Sequence, residues 1–535
     1  MQSGVSVRFE VASTEEGTSI VTDKSVTGPG SIAGITLGSV SDLFGIDVSG
    51  DVAVTDDAGS ASVVSTVFQD DEGDVTANVE TMTSGGATAS GTIEGVSGED
   101  ELDLDVGAMS APGGSATAAG AAAIENGSTT VSGETATSGD ASADVSGEVA
   151  SGTQVAEGDI EASSAGDGTA AATGSTTVDA DGSTSTASAE STGDAATDVE
   201  LESYDTYYGV YYNGISSDAE LETTTSGDGT ASAAGTTTVG PDGSTSMGSA
   251  ESTGDGAADV EVESYDYQAL LLSEAELETT TSADGTATAT GSSSASPDGA
   301  TATGTAESTG DGEADSETEA YDYSIGTLAD SEVETTTSGD GTATATGEAA
   351  VDPDGATATG TAESTGDGEA DSETEAYDYS VGILADSEVE TTTSGDGTAA
   401  ATGEAAVDAE GATATGTAES TGDGAADSET EAYDYSIGTI ADSEVETTTT
   451  GDGTAAATGE ANISELGAQA IGSAESTGSG EADSETESSD ATNGFESDTE
   501  VETTTGADGA ASASGTALQS ATGCACPHSS CTEQI

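Results

Sequence analysis

The chain has 535 residues, 105 Asp and Glu against two Lys and Arg, and a formal net charge of −103. Such a surface repels nucleic acid and anionic membranes, and an apolar fraction of 33 %, mostly Ala with four Phe and no Trp, excludes a thick hydrophobic core. High charge with few bulky side chains is the composition of a disordered chain, so a folded reading has to rest on order within the sequence itself.

The N-terminal stretch differs from the rest of the chain. Both fixed cations, Arg8 and Lys24, fall in residues 1–78 together with Phe9, Phe44, Phe68 and the apolar run SIAGITLGSVSDLFGIDV, Ser31 to Val48. These residues are expected to form a separate small β domain that serves attachment or oligomerisation, or caps the sheet edge of the neighbouring repeats. Homo-oligomeric contacts and an attachment partner are expected here. The start MQSGVSVRFEVAS lacks the apolar segment of a Sec signal, and no apolar run reaches the ~18 residues of a spanning helix, so neither a Sec leader nor a membrane span is expected.

After a degenerate lead-in at 79–104, residues 105–515 are periodic. The motif E-T-T-T begins at Glu222, Glu278, Glu334, Glu390, Glu446 and Glu502, always 56 residues apart, with looser copies at Asp105 and Glu161. A fixed period of this size is the mark of a repeat architecture, in which each unit buries its faces against its neighbours.

Within one unit, turn residues recur about every 14 residues: Gly339-Asp340-Gly341, Pro353-Asp354-Gly355, Gly366-Asp367-Gly368 and a corner from Tyr377 to Gly382. Between them the chain alternates with the period of a strand. Ala343, Ala345, Gly347, Ala349 and Val351 share one parity, and Thr342, Thr344, Thr346 and Glu348 the other. The predicted fold is an all-β, elongated tandem array of antiparallel four-strand units, as a solenoid, a sandwich-like rod or an intertwined fibre.

The stretch GDGEADSETEAYDYS, Gly366 to Ser380, carries the charge pattern of the whole. Glu369, Asp371, Glu373 and Glu375 fall on one face of a strand, and Ala370, Ser372, Thr374 and Ala376 on the other. The next strand continues the rule with Asp386, Glu388 and Glu390 opposite Ser387, Val389 and Thr391. The small residues are expected to form a thin interior that lets two sheets approach closer than the usual ~10 Å.

An EF-hand reading of the same stretch fails, because the sixth and twelfth positions counted from Asp367 are Ser372 and Asp378 instead of Gly and Glu. The turn acids Asp340, Asp354 and Asp367 stay as candidate Ca²⁺ or Na⁺ ligands, beside a diffuse layer of Ca²⁺, Na⁺ or K⁺ counterions. No cofactor is required by any motif. The unit Glu334 to Val389 holds fourteen acids and no base. Four strands in single file advance ~19 Å, a line charge that rivals DNA with its one charge per ~1.7 Å. Repulsion of that size calls for screening, and the Debye length falls from about 8 Å at physiological salt to about 3 Å at 1 M. A hypersaline setting is therefore expected, with saturation by divalent cations as the competing explanation.

All thirteen Tyr lie at one corner of the repeat. Most recur regularly and read as corner filling or a stacked ladder. The insertion YDTYYGVYYNG brings Tyr204, Tyr207, Tyr208, Tyr211 and Tyr212 together as a candidate contact with sugar or protein. The tail 516–535 holds every Cys and the only His: Cys524, Cys526, His528 and Cys531. Three thiols and an imidazole are a zinc ligand set with unusually tight spacing, or a disulfide plus an interchain link. Asn126 and Asn462 are N-glycosylation sequons.

Catalysis has little material. There is no Lys or Arg after residue 24, no His before residue 528, and among 105 acids any carboxylate pair is expected by chance. The expectation is a non-enzymatic fibre or stalk protein for high salt, a virion tail fibre or spike or a cell-surface appendage that presents an adhesive contact to a host surface or glycan. The alternative is a secreted acidic matrix protein that binds Ca²⁺ or other cations through its repeated carboxylates.

Overall fold

In the computed structural model the described chain is built from antiparallel β-strands, most of them eleven residues long. The structure describes all residues except 1–3, 15–16, 28–31, 41–45, 55–58, 71–74, 98–99, 126–127, 152, 180–181, 206–214, 241–242, 267–269, 283, 323–325, 353–354, 379–381, 409–410, 435–437, 465–466, 491–494, 507–508, 521–527 and 531–535. The chain divides into two compact units, Met1–Gln268 and Ala269–Ile535.

In the second unit the strands of one repeat separate into two sheets. Thr342–Asp352 and Gly355–Thr365 form a hairpin, whose outer edges pair with Gly299–Thr309 and with 398–408 of the long strand Ile383–Asp408. Gly368–Asp378 lies in the other sheet, between Thr327–Thr337 and residues 383–393 of that long strand. Ile383–Asp408 therefore serves both sheets, with a register break between Ser394 and Thr398. The chain lays two strands in one sheet, two in the other, and returns. Each sheet gains two strands per repeat, so one repeat advances about 10 Å, half the single-file value. Fourteen acids over that length exceed the line charge of DNA about twofold.

The first unit obeys the same rule. Gln154–Asp179 and Gly182–Asp205 are long strands shared by both sheets, with a register break between Ala165 and Thr169. The lattice also takes in N-terminal strands: Gly17–Thr27 pairs with Ser60–Asp70, which pairs with Val75–Ser84, which pairs with Ser115–Glu125. Lys24 is buried on this lattice, and burial lowers its pKa from the ordinary value against the pull of Asp51.

Small side chains set how the sheets meet. A row of glycines faces inward across one sheet of the second unit, from Gly291 and Gly304 through Gly347, Gly360 and Gly403 to Gly515, each directly opposite the next. A Cβ at Gly347 would stand 2.4 Å from Ser331 Oγ and 2.5 Å from Thr374 Cγ2 of the facing sheet. Ser372 Oγ reaches across to donate to the backbone carbonyl of Thr346 at 2.9 Å, and Ser316, Ser428 and Ser484 repeat the contact with Thr290, Thr402 and Thr458. A serine hydroxyl is one bond beyond Cβ, so sheets joined this way lie well inside the ordinary ~10 Å. Ala, Ser, Thr and Gly fill most of the rest, with Val333, Val389 and Val445 fully buried.

The turns interlock in the same spirit. Gly339 and Gly366 adopt φ of 66° and 69°, the left-handed conformation the Gly-Asp pairs predict. Asp367 Oδ1 accepts from Gly395 N at 2.7 Å, as Asp311 does from Gly339 and Asp423 from Gly451. Each turn aspartate thus fastens the next turn in its row.

Candidate functional site: an all-carboxylate sheet face

The two outer faces differ in chemistry. One is rich in threonine: Thr342, Thr365, Thr398, Thr421 and Thr454 stand in a single row, and Thr346, Thr361, Thr402 and Thr417 in another. Hydroxyls pair across strands, as in Thr398 with Thr421 at 2.6 Å and Thr346 with Thr361.

The other face is acidic in unbroken rows. In the second unit the middle row runs Glu276, Glu317, Glu332, Glu373, Glu388, Glu429, Glu444, Glu485 and Glu500, one glutamate per strand. A second row alternates Asp315, Glu334, Asp371, Glu390, Asp427 and Glu446, and a third alternates Glu319, Asp330, Glu375, Asp386, Glu431 and Asp442. Directly opposite side chains on antiparallel strands have Cβ atoms about 5 Å apart, where like charges destabilise the pair.

The aspartates of the second and third rows have raised pKa values. Burial first, and then the facing Glu319, Glu317 and Glu375, push Asp330 up to about 7. Asp386 and Asp442 stand at about 7 by the same causes, with burial again the largest. Asp315, Asp371 and Asp427 are raised to about 6, by burial and then by Glu334, Glu390 and Glu446 in turn. In the first unit Asp218 reaches about 7, through burial and then Glu202 and Glu263. Ser146 interrupts the row between Asp105 and Asp159 there, and a bowl of about 270 Å³ opens around it, walled by Glu148, Glu157, Glu200 and Glu202.

The remaining sequence candidates lie elsewhere. Asp340 and Asp367 sit exposed at turns, Asp367 engaged with Gly395 as above, and Asp354 lies outside the described residues. Cys524, Cys526 and Cys531 also lie outside them. His528 begins the short strand His528–Ser530, which pairs with 514–516. Among the described residues no group of three or more His, Cys, Asp and Glu converges to hold a metal. Tyr207, Tyr208, Tyr211 and Tyr212 lie outside the described residues, as does Asn126, whereas Tyr204 is half-buried opposite Val155 and Ser216. Asn462 is half-exposed on the threonine-rich sheet, opposite Thr413 and Gln469.

Comparison with protein-family models, curated proteins and solved structures finds no match. Geometry is therefore the source for function. Sequence parity located the acids on one face. It did not reveal that rows of different repeats join into continuous ladders, nor the half-buried Tyr321, Leu328, Tyr377, Leu384, Tyr433 and Ile440 that border the acid rows as an alternating aromatic and aliphatic band. The recurring Y-D-Y and L-A-D motifs carried that signal, since each places its apolar residue on the acidic parity.

Proposed function

We propose that this chain is a non-enzymatic structural element for concentrated salt, the shaft of a virion tail fibre or spike or of a cell-surface appendage, that holds an adhesive contact away from its attachment point. The observation that carries the reading is the set of unbroken carboxylate rows in a chain with no Lys or Arg after Lys24. Like charges about 5 Å apart repel strongly where the Debye length is about 8 Å and weakly where it is about 3 Å. Near-identical repeats serve length, because a copy adds to the array without redesign of the interior. On this reading the N-terminal region meets the attachment partner and sister chains, a host surface or glycan is the target, counterions stay diffuse, and no nucleic acid is bound.

Circular dichroism across a salt titration tests the proposal. β-Sheet signal in ~1 M NaCl or KCl that disappears on dialysis to low salt is expected. The regular spacing of the carboxylates favours one other reading, a secreted acidic matrix protein that gathers Ca²⁺. Folding at low salt only when Ca²⁺ is supplied would replace the first reading with the second.

A further inference from the structure

One sheet of the first unit ends in an open edge. Gly4–Thr14 pairs with Gly17–Thr27, and with no other strand among the described residues. Such an edge offers free N–H and C=O groups to a further strand unless charge or cover protects it. The edge strand Phe495–Thr504 of the second unit pairs with Gly480–Asp490 and is protected by Glu496, Asp498, Glu500 and Glu502, with no base among them. Gly4–Thr14 lacks this protection. Its sequence GVSVRFEVAST holds one acid, Glu10, and the only arginine of the chain, Arg8, so the strand is neutral within a molecule of net charge −103.

The order of residues along the strand is symmetric. Phe9 is the middle residue of Gly4–Thr14, with Arg8 before it and Glu10 after it. Arg8 is exposed, lies opposite Asp23 and shares its parity with Glu10. Val7 lies opposite Lys24, which is buried, so Val5, Val7, Phe9 and Val11 share the interior parity. A second copy laid antiparallel along the open edge, with the two Phe9 positions opposite, sets Arg8 opposite Glu10 of the partner subunit and Glu10 opposite the partner's Arg8. Val7 then meets Val11 of the partner subunit on the interior parity. Opposite charges at facing positions stabilise a strand pair, and like charges destabilise it. A guanidinium has donors enough for Asp23 and a second carboxylate. The edge strand Ile32–Val40 is also uncharged, but its ladder to Ile46–Val54 breaks between Leu37 and Val40 and its sequence has no such symmetry.

We propose that two chains associate through Gly4–Thr14, as an isologous pair about a two-fold axis at Phe9, so that one sheet runs from chain to chain. The inference rests on the reading that the N-terminal region meets sister chains, and it gives that contact a strand, a register and a symmetry. At molar salt the Debye length is about 3 Å. Acids elsewhere on the two chains then do not oppose the contact, while charges directly opposite still act on one another.

Sedimentation of the full chain in ~1 M NaCl, with circular dichroism as the control for folding, tests the pairing. The parent is expected to have the mass of two chains. Arg8→Glu sets four acids about the axis and Glu10→Arg sets four cations, so each variant alone should fall to the mass of one chain. Mixed in equal amounts the two variants should return to the mass of two, because every facing pair is then of opposite charge. The near-isosteric Glu10→Gln removes both ion pairs, leaves the strand pattern intact, and should raise the dimer dissociation constant several-fold. A single-chain mass for the parent would overturn both the inference and the sister-chain reading. An assembly that persists alike in Arg8→Glu and Glu10→Arg would leave that reading standing and overturn this strand as its site. Variants that dissociate but do not recombine, or a dissociation constant unmoved by Glu10→Gln, would overturn the register.

Discussion

Ser372 and Thr346 are joined across the sandwich by a 2.9 Å hydrogen bond from a side-chain hydroxyl to a backbone carbonyl. Thr346 lies opposite Thr361 within its own sheet, so the bond from Ser372 ties sheet to sheet. Such a bond is worth about 1 kcal/mol. Ser372→Ala should raise amide exchange at Thr346 and its neighbours several-fold while distant repeats are unchanged, because coupling in an array is local.

The glycine row sets a sharper limit. At Gly347 an alanine Cβ meets Ser331 Oγ and Thr374 Cγ2 at 2.4 and 2.5 Å, closer than packed atoms stand. Gly347→Ala should cost about 1–3 kcal/mol as overpacking, and Gly403→Ala the same, since its Cβ meets Ser387 and Thr430 alike. Thr344→Ala, on the outer face, should stay within ~0.5 kcal/mol. Urea midpoints at molar salt would decide between them.

Stability should rise as pH falls. Asp330, Asp386 and Asp442 are raised from 3.8 to about 7 in the folded chain. A carboxyl with a raised folded pKa opposes folding above that value, and the opposition is withdrawn as the pH drops toward the unfolded value. Between about pH 8 and 4 the folded state binds more protons than the unfolded one, so the slope of stability against pH is negative, the reverse of common acid denaturation. Thermal midpoints measured in low salt across this range would refute the linkage if they were flat or fell with acid.

Neutralising one rung should have the same sign. Asp386 lies opposite Glu375 and Glu431, and Asp386→Asn keeps the shape while removing the charge. A gain of about 0.2–1 kcal/mol at pH 8 and low ionic strength is expected from the lost like-charge pairs, shrinking at ~1 M salt. A gain that ignores salt would show that repulsion is not its source.

The corner band should be structural. Tyr377 is half-buried between Leu328 and Leu384. Tyr377→Ala should loosen those strand ends, read as faster amide exchange at Leu328, Leu384 and their neighbours than in the parent chain.

Much of this was legible in the sequence because strand geometry is local. Alternation along Glu369 to Ala376 assigns each residue to a face, and Gly-Asp pairs mark the reversals, with Gly339 and Gly366 at positive φ as their type requires. Those signals need no knowledge of the neighbouring strand. Partnership is another matter. Parity states that Glu373 points outward, but only the tertiary structure sets it between Glu332 and Glu388 and so completes a ladder. The same holds for the division of each repeat between two sheets, which halves the length over which fourteen acids are spread. It holds again for Asp378, one letter in a tyrosine corner until its register places it beside Thr327 on the inner face. Period and composition determined which atoms face water; the pairing of distant repeats decided which charges face one another, because cross-strand neighbours are chosen by packing and register and not by sequence proximity.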